Sequence, residues 1–188
     1  MDENFGQFSG EPKTEWIDGI GGNRNMKLLE EFWYKDPAGK LWIAPKDAII
    51  DGASIPRALW SIIGSPFTGH YRRASIVHDV ACNDPKIPRE DADKMFHYAC
   101  LADGCSKVQA WILYAGVRIG AYIDFDKRTR LDMVEDETTI DLTESNIQET
   151  YSEIISELNE SHDKLSFNIV DGIVKQQLMN KHSNLLLS

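Results

Sequence analysis

The residues whose types and spacing could do chemistry are His78, Asp79 and Asp93. A carboxylate held against an imidazole fixes the tautomer of the ring and raises its basicity, which a general base needs when it activates water. We therefore predict that His78 is a catalytic base oriented by Asp93. Asp79 lies one step round the same predicted helix from His78, where it would be free to hold a metal ion.

Two predicted helices would bring these residues together. Apolar residues recur at helical spacing over residues 71–82, and a second helical stretch begins near residue 88 and ends near residue 103. The short connection at residues 83–89 makes the two helices antiparallel neighbours, which turns Asp93 toward His78. Adjacent helical residues point about 100° apart, so we expect His78 or Asp79 to face a cleft or its rim.

Each candidate also has a structural interpretation. His78 could be a histidine of the core, and Asp93 could pair with an arginine. The candidate arginines are Arg57, Arg89 and Arg118. Asp51 either belongs to a turn in which Ser54 caps the next helix, or reaches the site. The sequence leaves both interpretations open.

The remaining pattern predicts an α+β fold. Aromatic and aliphatic residues flank a turn at residues 36–39, so segments 27–34 and 40–44 are predicted to pair as a β-hairpin. A short helix is expected over residues 58–63, and an almost wholly apolar helix over residues 107–123 is expected at the centre of the core. We therefore predict an N-terminal β-hairpin or small antiparallel sheet packed on a bundle of about four helices, with an acidic helical C-terminal tail.

The tail differs from the rest of the chain in charge and pattern. The net charge is −10, and from residue 131 onward twelve acidic residues accompany three basic ones. We divide the chain into a hairpin and helical core domain at 1–126, an acidic linker at 127–142 and a helical tail for docking or oligomerisation at 143–188.

Apolar side chains recur on one face of the first tail helix, and an isolated helix cannot keep such a stripe in water. The stripe consists of Ile147, Tyr151, Ile154, Ile155 and Leu158. Either the body or another protein chain must cover it, and we expect another chain: a second copy, a virion subunit or a host protein.

Composition excludes several other functions. The acidic tail would repel phosphate backbones and the body has no dense basic stripe, so we expect no nucleic-acid binding. The chain lacks an uncharged apolar run of about 18 residues and a signal-like start, so we expect no stable membrane insertion and a protein made in the cytoplasm.

The three cysteines, Cys82, Cys100 and Cys105, are predicted to be reduced thiols. A zinc site that also uses His97 is the alternative, but no CxxC pair supports it.

Several short motifs, in a fixed order, resemble the domain of unknown function family 1353, which is found in tailed phages and prophages. The motifs are Asp51-Gly-Ala-Ser-Ile-Pro-Arg57, Leu59-Trp60, Gly69-His-Tyr71, His78-Asp79, Arg89, Ala92-Asp93, Phe96, Tyr114-Ala-Gly-Val-Arg118 and Gly120. The resemblance covers residues 5–122. It implies a phage or prophage origin, and hence the host cytoplasm or the virion as location, but no established activity. It adds Tyr71 to the candidate site residues.

A second resemblance concerns mechanism. Residues 74–82, followed by a helix that carries Asp93 and Phe96, resemble the two-helix core of phospholipases A2. This resemblance implies that His78 activates water, that Asp79 binds calcium and that Asp93 orients His78. The paired cysteines of that family are missing here, and residues 64–69 are a poor match to its glycine-rich calcium loop.

Three functions remain open. The first is a hydrolase that uses His78, Asp79 and Asp93, with calcium as a candidate cofactor. The second is a non-catalytic phage accessory protein that binds a host factor, for example to block a defence system. The third is a virion component of the tail or capsid. A hydrolase predicts the His78 and Asp93 pair beside an open cavity, whereas the other two predict that these residues are buried and fully paired.

Overall fold

The fold begins with two three-stranded antiparallel sheets, and six α-helices follow among the described residues. A computed structural model describes residues 3–18, 24–52, 55–64, 69–132, 143–161 and 164–186, of which 18, 24, 124–132 and 182–186 are described by their backbone alone. The strands are β1 (Gln7–Phe8), β2 (Thr14–Asp18), β3 (Arg24–Leu28), β4 (Phe32–Lys35), β5 (Leu41–Ala44) and β6 (Ile49–Ile50). One sheet has the order β1-β4-β5 and the other the order β2-β3-β6. The predicted α+β class is confirmed.

The hairpin between β4 and β5 turns at residues 36–39, as predicted. The backbone N–H of Asp36 donates to the carbonyl of Lys40 at 3.0 Å, and Gly39 adopts a φ of +88°, which favours glycine. The run at residues 27–34, however, is not one strand. It is divided between β3 and β4, which belong to different sheets, because β3 pairs with β2 and β6 while β4 pairs with β1 and β5.

The helices agree with the predicted order but differ in length. They are α1 (Trp60–Ile63), α2 (Arg72–Asn83), α3 (Arg89–Ala102), α4 (Lys107–Asp132), α5 (Glu144–Glu160) and α6 (Phe167–Leu186), and a 3-10 turn (Arg57–Leu59) precedes α1. The α1 helix is a single turn. The α4 helix continues past residue 126, so the first part of the predicted linker is helical, and residues 133–142 lie outside the described ranges.

The α2 helix lies between the sheets and α3, and this decides the surroundings of the site. Strands β4, β5 and β6 contact one side of α2, and α3 packs along another. Residues 74–79 of α2 are therefore all buried. His78 and Asp79 are both inside the protein, so the expectation that one of them faces a cleft or its rim is wrong.

The tail packs on the body of the same chain. Helix α5 contacts α4 and the 3-10 turn, and α6 contacts α4 and α5. Ile147, Tyr151, Ile154 and Leu158 are buried, and the Tyr151 hydroxyl donates to the carbonyl of Ile112 on α4 at 2.6 Å. Four of the five stripe residues are thus covered within the same chain, by the body and α6, and not, as predicted, by another protein. Within the described residues, no helix is both long and apolar enough to cross a bilayer.

Candidate active site

The centre of the site is a contact between His78 on α2 and Asp93 on α3. The short connection between these helices makes them antiparallel neighbours, and the Nε2 atom of His78 lies 2.7 Å from Oδ1 of Asp93. Both side chains are 0% exposed. The predicted pairing of His78 with Asp93 is confirmed. Both residues are also buried, which is expected of a non-catalytic protein and not of a hydrolase.

Two arginines hold the other lone pairs of the Asp93 carboxylate. The Nε of Arg89, one turn earlier on α3, donates to Oδ1 at 3.1 Å, and Nη1 of Arg118 on α4 donates to Oδ2 at 3.0 Å. Burial alone would raise the pKa of Asp93, but the bond to His78 and the arginine charges lower it below its ordinary value. Asp93 is therefore an anion inside the protein.

The Cys82 thiol lies beside the imidazole of His78, one turn later on α2. Its Sγ is 3.4 Å from Nε2 and 3.8 Å from Nδ1, and the ring of Phe96 packs at 4.8 Å between centroids. Burial lowers the pKa of His78, but interactions with Cys82 and Asp93 outweigh it and raise the pKa to about 9. At neutral pH, His78 is therefore an imidazolium ion.

Asp79 occupies a separate polar position next to Asp51. The backbone N–H of Asp51, directly after β6, donates to Oδ2 of Asp79 at 3.0 Å. Burial and repulsion by the Asp51 carboxylate raise the pKa of Asp79 to about 7, although the N–H of Asp51 stabilises the anion. The structure thus brings Asp51 to Asp79.

The other predicted site residues lie outside this cluster or beyond the described ranges. Tyr71 is buried at the start of α2, where its hydroxyl donates to the carbonyl of Ile63 at 3.4 Å. Arg57 is exposed, with its guanidinium 5.7 Å from the ring centroid of Trp60. Ser54, the predicted cap, lies outside the described residues.

Two residues of the network were not predicted. Asp171 on α6 accepts from Nε of Arg118 at 2.9 Å and from the Tyr114 hydroxyl at 3.0 Å. No local spacing relates residue 171 to the site, so only the tertiary fold reveals it. Cys82 was predicted only as a reduced thiol, although its position four residues after His78 places both on one helix face.

The polar cluster is better suited to a hydrogen-bonded triad than to zinc. His78, Cys82 and Asp93 present potential ligand atoms within 4.8 Å of one another. Two ligands of one tetrahedral zinc ion lie about 3.3 Å apart, further than the 2.7 Å between His78 and Asp93. The charges of Arg89 and Arg118 would also repel a cation. The three cysteines are free thiols, and no described group of ligands combines Cys82, His97, Cys100 and Cys105.

Residues 26–117 match the family described as "Protein of unknown function (DUF1353)". This part of the chain is similar to that family. The match is shorter than the predicted range of 5–122, but it includes His78, Asp79 and Asp93. Arg118 and the whole tail lie beyond the DUF1353 match.

Two curated relatives are similar to part of this chain, and both come from Sinorhizobium fredii (strain NBRC 101917 / NGR234). The uncharacterized protein y4jT is 37% identical over 115 residues, which is 61% of this chain and 34% of that relative. The uncharacterized protein y4iH is 35% identical over 99 residues, which is 52% of this chain and 41% of that relative. The chain therefore spans well under half of the length of these relatives. No solved structure matches the chain.

Proposed function

We propose that this protein is a phage-encoded ester hydrolase of the phospholipase A2 type, in which His78 and Asp93 form the catalytic dyad. The observation that carries the proposal is the 2.7 Å contact between Nε2 of His78 and Asp93. This contact occupies Nε2. The other ring nitrogen, Nδ1, lies 3.8 Å from the Cys82 sulfur. The phage origin rests on the family resemblance alone.

The proposed reaction uses Nδ1 of neutral His78, the ring nitrogen that does not contact Asp93. A water oxygen attacks the ester carbonyl carbon while Nδ1 takes a proton from that water. The carbon–oxygen bond to the leaving alcohol then breaks, and the leaving oxygen takes the proton back from the imidazolium. Asp93 keeps the ring in one tautomer and stabilises its positive charge, while Arg89 and Arg118 keep Asp93 ionised.

Asp79 and Asp51 are the residues that would hold calcium. Both offer hard carboxylate oxygens. Burial and the Asp51 charge raise the pKa of Asp79 to about 7, although the charge of His78 lowers it. When bound, the ion would stabilise the negative oxygen that develops on the ester carbonyl. The ion is therefore a candidate cofactor of the proposed reaction.

The burial of His78 sets a condition on this function. With its side chain 0% exposed, His78 can meet water and an ester only if the surroundings of Nδ1 open when substrate binds. An aggregated lipid surface is a substrate that could drive such an opening, because the enzyme would gain apolar contacts there.

The test is fatty-acid release from mixed phosphatidylcholine and phosphatidylglycerol vesicles, with and without calcium. We expect release by the parent protein, and a decrease of about 100-fold or more in His78→Gln because general base catalysis is lost. Asp79→Asn should lose the dependence on calcium. The exposed His70 provides the matched control, and His70→Gln should retain the parental rate.

The outcome that contradicts the proposal is a folded parent protein that hydrolyses neither vesicles nor a soluble aryl ester between pH 6 and pH 10. A parental rate in a folded His78→Gln variant would also contradict it. Circular dichroism separates these results from a failure to fold.

A specific observation favours a second candidate function, that of a non-catalytic protein. Asp93 is fully buried and bonded by two arginines and a histidine, as expected of an ion network that only joins helices. On this alternative the protein is a non-catalytic virion component or a host-factor-binding protein. Partner binding would then use surfaces other than the buried stripe of α5. Recovery of the protein in purified particles without ester hydrolysis would favour the virion role.

A further inference from the structure

Helix α3 ends in a Schellman motif, a hydrogen-bonded helix end, in which both of the paired positions are cysteines. The N–H of Cys105 donates to the carbonyl of Cys100 at 3.0 Å, and the N–H of Gly104 donates to the carbonyl of Leu101 at 3.1 Å. Gly104 adopts a φ of +101°, the left-handed conformation that this motif requires. The side chains at the two paired positions of a Schellman motif contact each other, usually through apolar atoms. Here the contact is between two thiols.

The two thiols differ in exposure and in how readily they ionise. Cys100 is 0% exposed, whereas Cys105 is partly exposed. A hydrogen bond with Cys100 lowers the pKa of the Cys105 thiol, although burial and the Asp103 charge oppose this effect. Burial raises the pKa of Cys100, and the bond to Cys105 raises it further. Cys105 is therefore the thiol that a dissolved oxidant meets first, and Cys100 stays protonated beside it.

We propose that Cys100 and Cys105 are a redox modification site, which a peroxide converts reversibly into a disulfide. A disulfide needs two side chains that point toward each other from nearby Cα atoms. The backbone bond from Cys105 to Cys100 holds the two residues in this way. The pair is separate from the His78 and Asp93 site, and the proposal does not depend on ester hydrolysis.

The reaction with hydrogen peroxide takes two steps. The Cys105 thiolate attacks one peroxide oxygen, the O–O bond breaks, and Cys105 becomes a sulfenic acid. The hydroxide that leaves combines with the proton that Cys105 released. The Cys100 sulfur then attacks the Cys105 sulfur, the S–O bond breaks, and the second hydroxide takes up the Cys100 proton. The two thiols lose two electrons, and the peroxide is reduced to two water molecules.

Oxidation would change the contact between the end of α3 and the turn before α2. The Cys105 thiol donates to the carbonyl of His70 at 3.6 Å. A disulfide has no S–H group with which to keep this bond. The bond to His70 therefore depends on the redox state of the pair.

The test is peptide mapping of the full chain after mild treatment with hydrogen peroxide. Excess peroxide is removed, and the remaining thiols are alkylated in urea so that buried thiols also react. Trypsin then releases residues 95–107, which contain Cys100 and Cys105, separately from residues 74–86, which contain Cys82. We expect peptide 95–107 to lose two hydrogens and to escape alkylation, and dithiothreitol to restore both thiols.

Single variants assign the two roles. Cys105→Ser should lose the oxidation and leave Cys100 open to alkylation, because the exposed thiol is the one that reacts with peroxide. Cys100→Ser should stop at a sulfenic acid on Cys105, which dimedone traps. The matched control is Cys82→Ser, which should oxidise within peptide 95–107 as the parent does.

Full alkylation of peptide 95–107 in the peroxide-treated parent would overturn the proposal. A disulfide that instead joins Cys82 to another cysteine would overturn it too, as would irreversible oxidation of Cys105 while Cys100 stays open to alkylation. Where circular dichroism shows that a variant does not fold, the parent protein decides, because its peptide map needs no substitution.

Discussion

At the scale of single residues, the pKa of about 9 determines when His78 can act as a base. A general base must be unprotonated, so the rate of ester hydrolysis should rise with pH to a midpoint near 9. Cys82 contributes to this raised pKa, and Cys82→Ala should shift the midpoint of the pH–rate profile toward the ordinary histidine value of about 6.5. Cys105→Ala is the control, because Cys105 donates to the carbonyl of His70 at 3.6 Å and is not among the groups that shift the pKa of His78. This variant should keep the parental midpoint. Equal midpoints in the parent and Cys82→Ala would contradict this assignment.

His97 should make the protein sensitive to acid. Burial lowers its pKa from 6.5 to about 3, and neither ring nitrogen has a described hydrogen-bond partner. The unfolded chain therefore takes up a proton below pH 6.5 that the folded protein does not. The contribution of His97 to stability is complete above pH 6.5 and is lost as the pH falls toward 3, at a limiting slope of about 1.4 kcal/mol per pH unit.

Urea unfolding between pH 7 and pH 4 measures this effect. In His97→Leu the free energy of unfolding should depend less on pH, whereas the exposed His70, changed to Leu, should leave the dependence as in the parent. The same dependence in His97→Leu and the parent would show that other groups cause the acid sensitivity.

The sequence predicts the dyad but not the residues around it. His78 and Asp93 lie on two helices joined by a short connection, so their spacing fixes their relative position. Arg89 and Arg118 were named only as alternative partners of Asp93, and spacing cannot decide which of several long side chains reaches a carboxylate. Asp171 is separated from the site by residues 133–142, and no periodicity crosses that segment.

At the scale of elements, the turn between β4 and β5 depends on one side chain. Asp36 accepts from the backbone N–H of Lys40 at 2.9 Å and from Nε1 of Trp42 at 3.0 Å. Asp36→Ala should lower the free energy of unfolding by about 2 kcal/mol, since each lost hydrogen bond contributes about 1 kcal/mol. Asp36→Asn keeps one oxygen acceptor and should lose about half as much in urea unfolding. Equal stability of Asp36→Ala and the parent would show that the turn does not need this side chain.

Helices were easier to predict than strands. The bounds of α2 and α3 follow from apolar periodicity and from nearby proline and glycine residues. The run at residues 27–34 reads as one apolar strand, but which sheet each half joins depends on partners distant in sequence. The burial of both His78 and Asp79 likewise results from tertiary packing, because α2 is covered by the sheets and by α3.

At the scale of the whole molecule, the tail should be required for the stability of the body. Helix α5 buries four large side chains where it packs on the body and on α6, each contributing roughly 1.5–3 kcal/mol. A chain that ends after Asp132 should therefore unfold at lower temperature or self-associate through the uncovered face of α4. Thermal unfolding and size-exclusion chromatography measure both outcomes.

A matched variant tests whether the apolar contact is the cause. Leu158→Ala in the full chain should destabilise the protein by about 2–5 kcal/mol, whereas the exposed Glu153, changed to Ala, should have little effect. A truncated chain that remains a monomer with the parental unfolding temperature would show that the body folds independently of the tail.

Arg118 contacts both Asp93 and Asp171, so it couples the docking of α6 to the protonation of His78. If docking of α6 changes the proton affinity of His78, protonation of His78 must change the docking free energy of α6 by the same amount. A binding partner that captures the tail would then alter the basicity of a histidine in the protein interior. Conversely, a ligand bound at His78 would be detectable as a change in how readily the C-terminal helix separates from the body.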